Sequence, residues 1–304
     1  SDIIVDCGGG FLGGKKFDSL MHLFQIYINT LFNKPVIIMA TSIEPIKNNI
    51  IKKYTEKILK KVDYIFAREK ITYDYLKKFM PKEKFTLIPD MAFILEKKKQ
   101  NFEADSKLKK KTNMIFGITV RNWNFPDLEI SRREKAMRNY ENTIKDVMKK
   151  FINENDSYFV FIPQVIVDTG DDTIIAKHIK SMLTLKEQEH FIIIEDDLSP
   201  IQIKSLIGNM DYFIGTRMHS NIFATSMKIP TIAIAYEKKT NGIMQTVGLE
   251  KYIVEICDIN SATLINKINE CIKNNKEIKE ILNDKIPEIK KEIVKKISKV
   301  MKNY

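Results

Sequence analysis

The clearest pattern in the chain lies between residues 211 and 236, where two continuous apolar runs flank a stretch of helical spacing. Residues 212–214 form a short apolar run that Gly215-Thr216 breaks. Met218, Ile222 and Thr225 then recur at near-helical spacing, and Pro230 stops that helix. Residues 231–235 are a continuous run of the kind found in strands buried on both faces. The stretch therefore predicts strand, tight turn, helix, strand. Further strands are expected at 3–5, 35–39, 63–67, 85–88, 113–120, 158–164 and 191–194. Helices are expected at 17–32, from Ile50 to Val62, at 134–153, after Asp172 and at 201–206, the last opened by a Ser199 cap and Pro200. This alternation implies an α/β protein with parallel, doubly wound sheets.

At 304 residues the chain is long enough for two domains, each with its own core. Residues 96–111 are charged and poor in large apolar side chains, which marks an interdomain linker. The expected division is 1–105, 106–275 and a C-terminal helix at 276–304. In that helix Ile286, Ile289, Ile293, Ile297, Val300 and Met301 make one apolar stripe, with Lys290, Lys291, Lys295, Lys296, Lys299 and Lys302 between them. Docking of the stripe onto a core is the plain reading. Contact with an anionic membrane face is the sharper one.

Hydrophobic content of 44% and charged content of 29% are ordinary for a soluble protein. The formal net charge is +11, yet only six basic residues are Arg: Arg68, Arg121, Arg132, Arg133, Arg138 and Arg217. A Lys-rich solvated surface is the default reading, and it also suits an anionic ligand. No Arg-rich arm, zinc-finger spacing or RNA-binding signature is present, which argues against a nucleic-acid partner. Cys7, Cys257 and Cys271 are few and widely spaced, as in a reducing compartment, so a cytoplasmic location is expected. No apolar run reaches the roughly 18–20 residues of a spanning helix.

Candidate chemistry gathers where strands end. Thr216 is placed to cap the helix after 212–214, with Arg217 and His219 at or just before its first turn. A helix start presents unpaired N–H groups and the positive end of the dipole, so it suits an anion. An Arg there offers a fork for phosphate or carboxylate, and a His beside it can move a proton near neutral pH. The competing reading pairs Arg217 with an Asp on the surface and leaves His219 to cap a loop. Arg121 stands at the end of strand 113–120, followed by Trp123, where open α/β sheets bind ligands. Lys238 and Lys239 leave strand 231–235 toward the same edge, in a loop punctuated by Gly242 and Gly248. Asp168, Asp171 and Asp172 suggest a metal, but helix capping is the better reading of the last two. Gly8, Gly9 and Gly10 after strand 3–5, then Gly13 and Gly14, allow close backbone approach to a ligand without forming a dinucleotide fingerprint.

Gly215-Thr-Arg-Met-His-Ser-Asn-Ile-Phe-Ala224, then Ile229-Pro-Thr-Ile-Ala-Ile-Ala-Tyr-Glu-Lys-Lys239 and Val247-Gly-Leu249, resemble the polysaccharide pyruvyl transferase family. That family has a Gly-x-Arg-Leu-His helix start, and here Met218 replaces the Leu. Residues 40–46 are similar to the family's Gly-x-Ser-Ile-Gly-Pro, with Glu44 at the second Gly. Arg68-Glu69 with Thr72, and Gly117-x-x-x-Arg121, match it as well. The resemblance implies a GT-B-like pair of Rossmann-like domains with a cleft between them, and transfer of pyruvate from phosphoenolpyruvate to a sugar, forming a ketal. The acceptor would be a cell-surface polysaccharide or its lipid-linked precursor. It implies donor binding by Arg121, Arg217, Thr216, Lys238 and Lys239, catalysis by His219 and Arg217, and an acceptor side at Gly8, Gly9, Gly10, Ser42 and Glu44. No metal or cofactor is expected, phosphoenolpyruvate being a co-substrate. The family's earlier Gly-Asn-x-Gly-Asp element is not found, so the native chain is expected to carry further residues before Ser1. A GT-B glycosyltransferase using a nucleotide sugar, and a non-catalytic glycan-binding protein, are the competing functions.

Overall fold

A computed structural model describes residues 2–10, 12–13, 17–98, 113–167 and 171–304. Most of the expected linker, together with Gly14 and Asp168, lies outside the described residues. The chain divides into two compact units, 1–94 with 288–304, and 95–287. The C-terminal helix is therefore no separate appendage, as the expected division had it: its last part belongs to the first unit.

The first unit is a four-stranded parallel sheet in the order β1 (Ile4–Cys7), β2 (Val36–Thr41), β3 (Tyr64–Ala67), β4 (Phe85–Leu87). Its crossovers are α1 (Phe17–Asn29), α2 (Asn49–Leu59) and α3 (Lys70–Leu76). Strand side chains alternate between faces, and the two cores follow that period of two. Val36, Ile38, Ile65 and Ala67 join the core that holds Leu23, Leu59 and Leu76 of the three helices. Ile37 and Phe66 face the other way and pack with Val300, Ile297 and Met301 of the C-terminal helix.

The second unit is a six-stranded sheet, every pairing parallel, built from β5 (Ile115–Thr119), β6 (Tyr158–Phe161), β7 (Phe191–Ile193), β8 (Tyr212–Gly215), β9 (Thr231–Ala235) and β10 (Ile253–Glu255). The spatial order is β10-β9-β8-β5-β6-β7. The chain thus builds outward from β5 to β7 and then returns to the other side of β5 at β8. One layer of mutually packed helices holds α4 (Ile130–Asn155), α5 (Asp172–Ser181), α6 (Leu185–Gln188) and α10 (Ser261–Lys273). The other holds α7 (Pro200–Ile207), α8 (Met218–Ser226) and α9 (Lys238–Thr246). Right-handed crossovers place the two layers on opposite faces. Helix α9 occupies the stretch expected to be a loop. The last helix, α11 (Asn275–Met301), continues through Pro287.

Of the two readings of the C-terminal stripe, core docking is what the fold shows: Ile286, Ile289, Ile293 and Val300 are buried. Lys296 adds a hydrogen bond from Nζ to the Leu87 carbonyl, 2.7 Å long. Among the described residues no helix is long and apolar enough to cross a membrane. Ile293→Ala should cost about 2–5 kcal/mol, the scale of emptying a core position. Val294→Ala, at an exposed neighbour, should stay within about 0.5 kcal/mol. Denaturant unfolding of the two variants checks this, and equal small losses would refute the docking.

Candidate active site

The reversal of strand order between β5 and β8 leaves the carboxyl ends of two adjacent strands followed by chains that leave toward opposite faces. Ligands bind open α/β sheets at such a point. Thr119 and Gly215 are register partners at these ends. The sequence-predicted residues of this unit follow directly: Arg121 after β5, Thr216 to His219 after β8, and Lys238 and Lys239 after the neighbouring β9.

A buried network of hydroxyls fixes this corner. The Thr119 hydroxyl oxygen accepts the Thr216 N–H at 2.9 Å and the Arg217 N–H at 3.3 Å. Thr216 Oγ1 donates to the Thr119 carbonyl at 2.9 Å, so its own oxygen is left to accept the Tyr140 hydroxyl at 3.0 Å. Tyr140, wholly buried in α4, in turn accepts the backbone N–H of Arg121. Ser220 Oγ donates to the Arg217 carbonyl at 2.6 Å and therefore accepts from Thr119 across 3.1 Å. Each hydroxyl hydrogen has one acceptor, which buried polar groups require. Burial pushes the Tyr140 phenol well above its ordinary pKa, so it serves as a neutral hydrogen-bonding post.

The network corrects one expectation. Thr216 does not cap α8; it is buried inside the corner, and Arg217 occupies the cap position without a side-chain cap bond. Gly215 has its own reason to be Gly. A Cβ there would stand 1.7 Å from Asn221 Oδ1, and the Asn221 amide donates back to the Gly215 carbonyl at 3.2 Å.

Arg217 is 18% exposed and meets Asp172, whose side chain is 1% exposed. Its Nε–H donates to Oδ2 at 3.1 Å, and Nη2 donates to Oδ1. Asp172 is the first residue of α5, and its Oδ2 also lies within reach of the Gln164 and Val165 N–H groups, at 3.3 and 3.2 Å. The expected capping role belongs to Asp171, which accepts the Thr173 N–H at 2.7 Å. Asp172 is thus the partner of Arg217 and not the cap it was expected to be; the Arg217–Asp pair was the competing expectation, but the Asp is buried rather than at the surface. Among the described residues no cluster of His, Cys, Asp or Glu is arranged to hold a metal.

Arg121 is half-buried and lies against two aromatic faces, 4.8 Å from the Trp123 ring and 4.3 Å from the Tyr236 ring. The two rings are 4.6 Å apart and tilted by 50°. Among the described residues no carboxylate pairs with Arg121. His219 is exposed on the first turn of α8. Lys238 is exposed at the start of α9, while Lys239 is engaged with Glu237 at 3.4 Å.

The first unit has its own strand-end cluster. Arg68 donates from Nε and Nη2 to Ser42 Oγ at 2.9 and 2.7 Å, and from Nη1 to Asp90 at 3.1 Å. Ser42 is fully buried, and its hydroxyl is engaged by Arg68, which braces the corner. Gly8 is packed against β2, where a Cβ would stand 2.0 Å from the Met39 carbonyl oxygen. Gly9 accepts the Ser42 N–H at 2.8 Å. Gly10 is exposed, and Glu44 is half-buried.

Comparison with known proteins places this geometry. The family model for polysaccharide pyruvyl transferase matches residues 1–238. The amylovoran biosynthesis protein AmsJ of Erwinia amylovora is 22% identical over 295 residues, covering 92% of this chain and 67% of that protein. Solved structures share the fold at low identity. UDP-GlcNAc 2-epimerase from Methanocaldococcus jannaschii aligns with a TM-score of 0.58 at 15% identity, over 88% of this chain and 69% of its own. The MnaA–UDP complex from S. aureus gives 0.60 at 13%, over 93% and 70%. HepE from Anabaena, in complex with UDP and glucose, gives 0.58 at 13%, over 93% and 77%. These likenesses agree with the two parallel α/β sheets and a GT-B-type architecture. With the family's motif standing at the β5/β8 corner and its model spanning most of the sequence, the chain belongs to the polysaccharide pyruvyl transferase family.

Proposed function

We propose that this transferase takes pyruvate from phosphoenolpyruvate and places it as a ketal on a sugar of a cell-surface polysaccharide or its lipid-linked precursor. The observation that carries the reading is the half-used fork of Arg217. A guanidinium has two bidentate edges, and Asp172 takes only the Nε/Nη2 side. The Nη1/Nη2 edge has no bonded partner among the described residues, and it stands at the start of α8 where the dipole favours an anion.

Arg217 and Arg121 supply positive charge for a donor that carries a phosphate and a carboxylate, with exposed Lys238 after the end of the neighbouring strand β9. His219, on the same helix start, is the proton-transfer residue. In the proposed sequence the methylene carbon of the donor is protonated and an acceptor hydroxyl adds to its C2, giving up its proton. Phosphate then leaves, and a second hydroxyl of the same sugar adds to C2 and closes the ketal, its proton passing to the released phosphate. Fixed cations stabilise the charge that moves onto phosphate, so the chain's own residues suffice for the electrostatics. Phosphate release from phosphoenolpyruvate, assayed over a panel of sugar acceptors, tests the assignment. Tight nucleoside diphosphate binding with no phosphoenolpyruvate turnover would favour a nucleotide-sugar transferase instead.

Arg217→Lys is the informative substitution, because it leaves a cation beside Asp172 while removing the second edge. Donor affinity measured by calorimetry should fall by about 1.5–3 kcal/mol. Unchanged affinity would remove Arg217 from the donor site. His219→Ala should lower turnover by about 10²–10⁴-fold and leave the melting temperature nearly unchanged, since the side chain is exposed. A stable variant with near-normal turnover would show that His219 moves no proton.

A further inference from the structure

We infer that Asp172 is a positioning residue for the reaction: its buried carboxylate holds the Arg217 guanidinium by one edge so that the other edge faces the donor. The inference rests on the proposed anion site at Arg217 and adds the element that orients it.

Three observations converge on it. The contact is two-pronged, from Nε and Nη2 to the two carboxylate oxygens, which fixes both the direction and the plane of the guanidinium. The carboxylate is itself immobilised: it belongs to the first turn of α5, it is 1% exposed, and the backbone of Gln164 and Val165 approaches its second oxygen. The Arg217 backbone is held separately, by Thr119 at its N–H and Ser220 at its carbonyl. The side chain is therefore gripped at both ends, and its remaining freedom is rotation that would break the Asp172 pair. A long Arg side chain loses considerable rotamer entropy when it is held. Asp172 imposes that loss in the free protein, so the donor does not.

Asp172→Asn keeps the shape of the carboxylate but removes the charge and one of the two acceptors. The KM for phosphoenolpyruvate should then rise by roughly ten- to hundredfold, the worth of one charge-assisted hydrogen bond. The effect on kcat should be smaller.

The test is a double-mutant cycle on the full chain. Wild type, Asp172→Asn, Arg217→Lys and the double variant are compared for phosphoenolpyruvate KM and kcat, and for protection from thermal unfolding by inorganic phosphate. In the Arg217→Lys background Asp172→Asn should add almost nothing to either readout, because the oriented edge is already gone. Equal losses in both backgrounds would overturn the inference and leave Asp172 a brace for the 164–165 turn. So would a lower melting temperature with unchanged KM. If phosphate protection follows the predicted coupling but phosphoenolpyruvate is not used, the positioning role stands and the donor assignment fails. If neither compound binds the wild-type protein, both fail.

Discussion

A carboxylate taken out of water costs several kcal/mol unless it is paired and hydrogen-bonded. Asp172 is in that situation, and the solution adopted by the fold is the guanidinium of Arg217. The orientation of Arg217 follows from this one pair. It decides which edge of Arg217 is occupied and which is left, and it ties the start of α8 to the start of α5 and the turn after β6. Removing either partner would strand the other in a poorly solvated place, a loss of about 3–5 kcal/mol in comparable buried pairs. Stability and the proposed donor recognition would therefore be coupled through the same two side chains, so Arg217→Lys is more informative than Arg217→Ala.

The topology explains why the pair sits where it does. In the second sheet the strand order reverses between β5 and β8, so their ends separate two chains leaving for opposite faces. Backbone groups at such a corner are met by side chains: the Thr119 and Tyr140 hydroxyl oxygens accept the N–H groups of Thr216, Arg217 and Arg121, and the Thr216 and Ser220 hydroxyls donate to the carbonyls of Thr119 and Arg217. Because each hydroxyl hydrogen has one acceptor, the corner has a single hydrogen-bonding arrangement. Arg121 is set differently, between the faces of Trp123 and Tyr236. Contacts of this kind hold a guanidinium without neutralising it. One cation is steered by a carboxylate and the other by aromatic rings, so two arginines can share one edge of a sheet while keeping distinct net charge.

Much of this was legible in the sequence. The strands and the helix around Gly215-Thr-Arg-Met-His219 were readable because continuous apolar runs flank a stretch of helical spacing, with Gly215-Thr216 and Pro230 marking the breaks. Arg121, Arg217 and His219 stood out as rare residue types at strand ends in a Lys-rich chain. Thr216 was misplaced by one residue, since cap position depends on backbone angles that a Thr-Arg pair does not reveal. Helix α9 was taken for a loop because Gly242 and polar residues blur its period, although the flanking strand packing supports it. Asp172 was not legible as the partner of Arg217, because one capping role accounts for the Asp171-Asp172 pair. Its partner is 45 residues away, a relation that local pattern cannot show. The Thr119 and Tyr140 hydroxyls were invisible for the same reason: a Thr in a strand and a Tyr in a helix carry no signal until the fold brings them together.

The central claim is that the donor anion meets the outer edge of Arg217 at the carboxyl end of β8. The most direct measurement is a crystal structure of the protein with phosphoenolpyruvate bound. The account predicts a phosphate or carboxylate group on Nη1 and Nη2 of Arg217, with the Asp172 pair intact and Arg121 nearby. Donor density elsewhere, or an Arg217 that abandons Asp172 to reach it, would contradict the account.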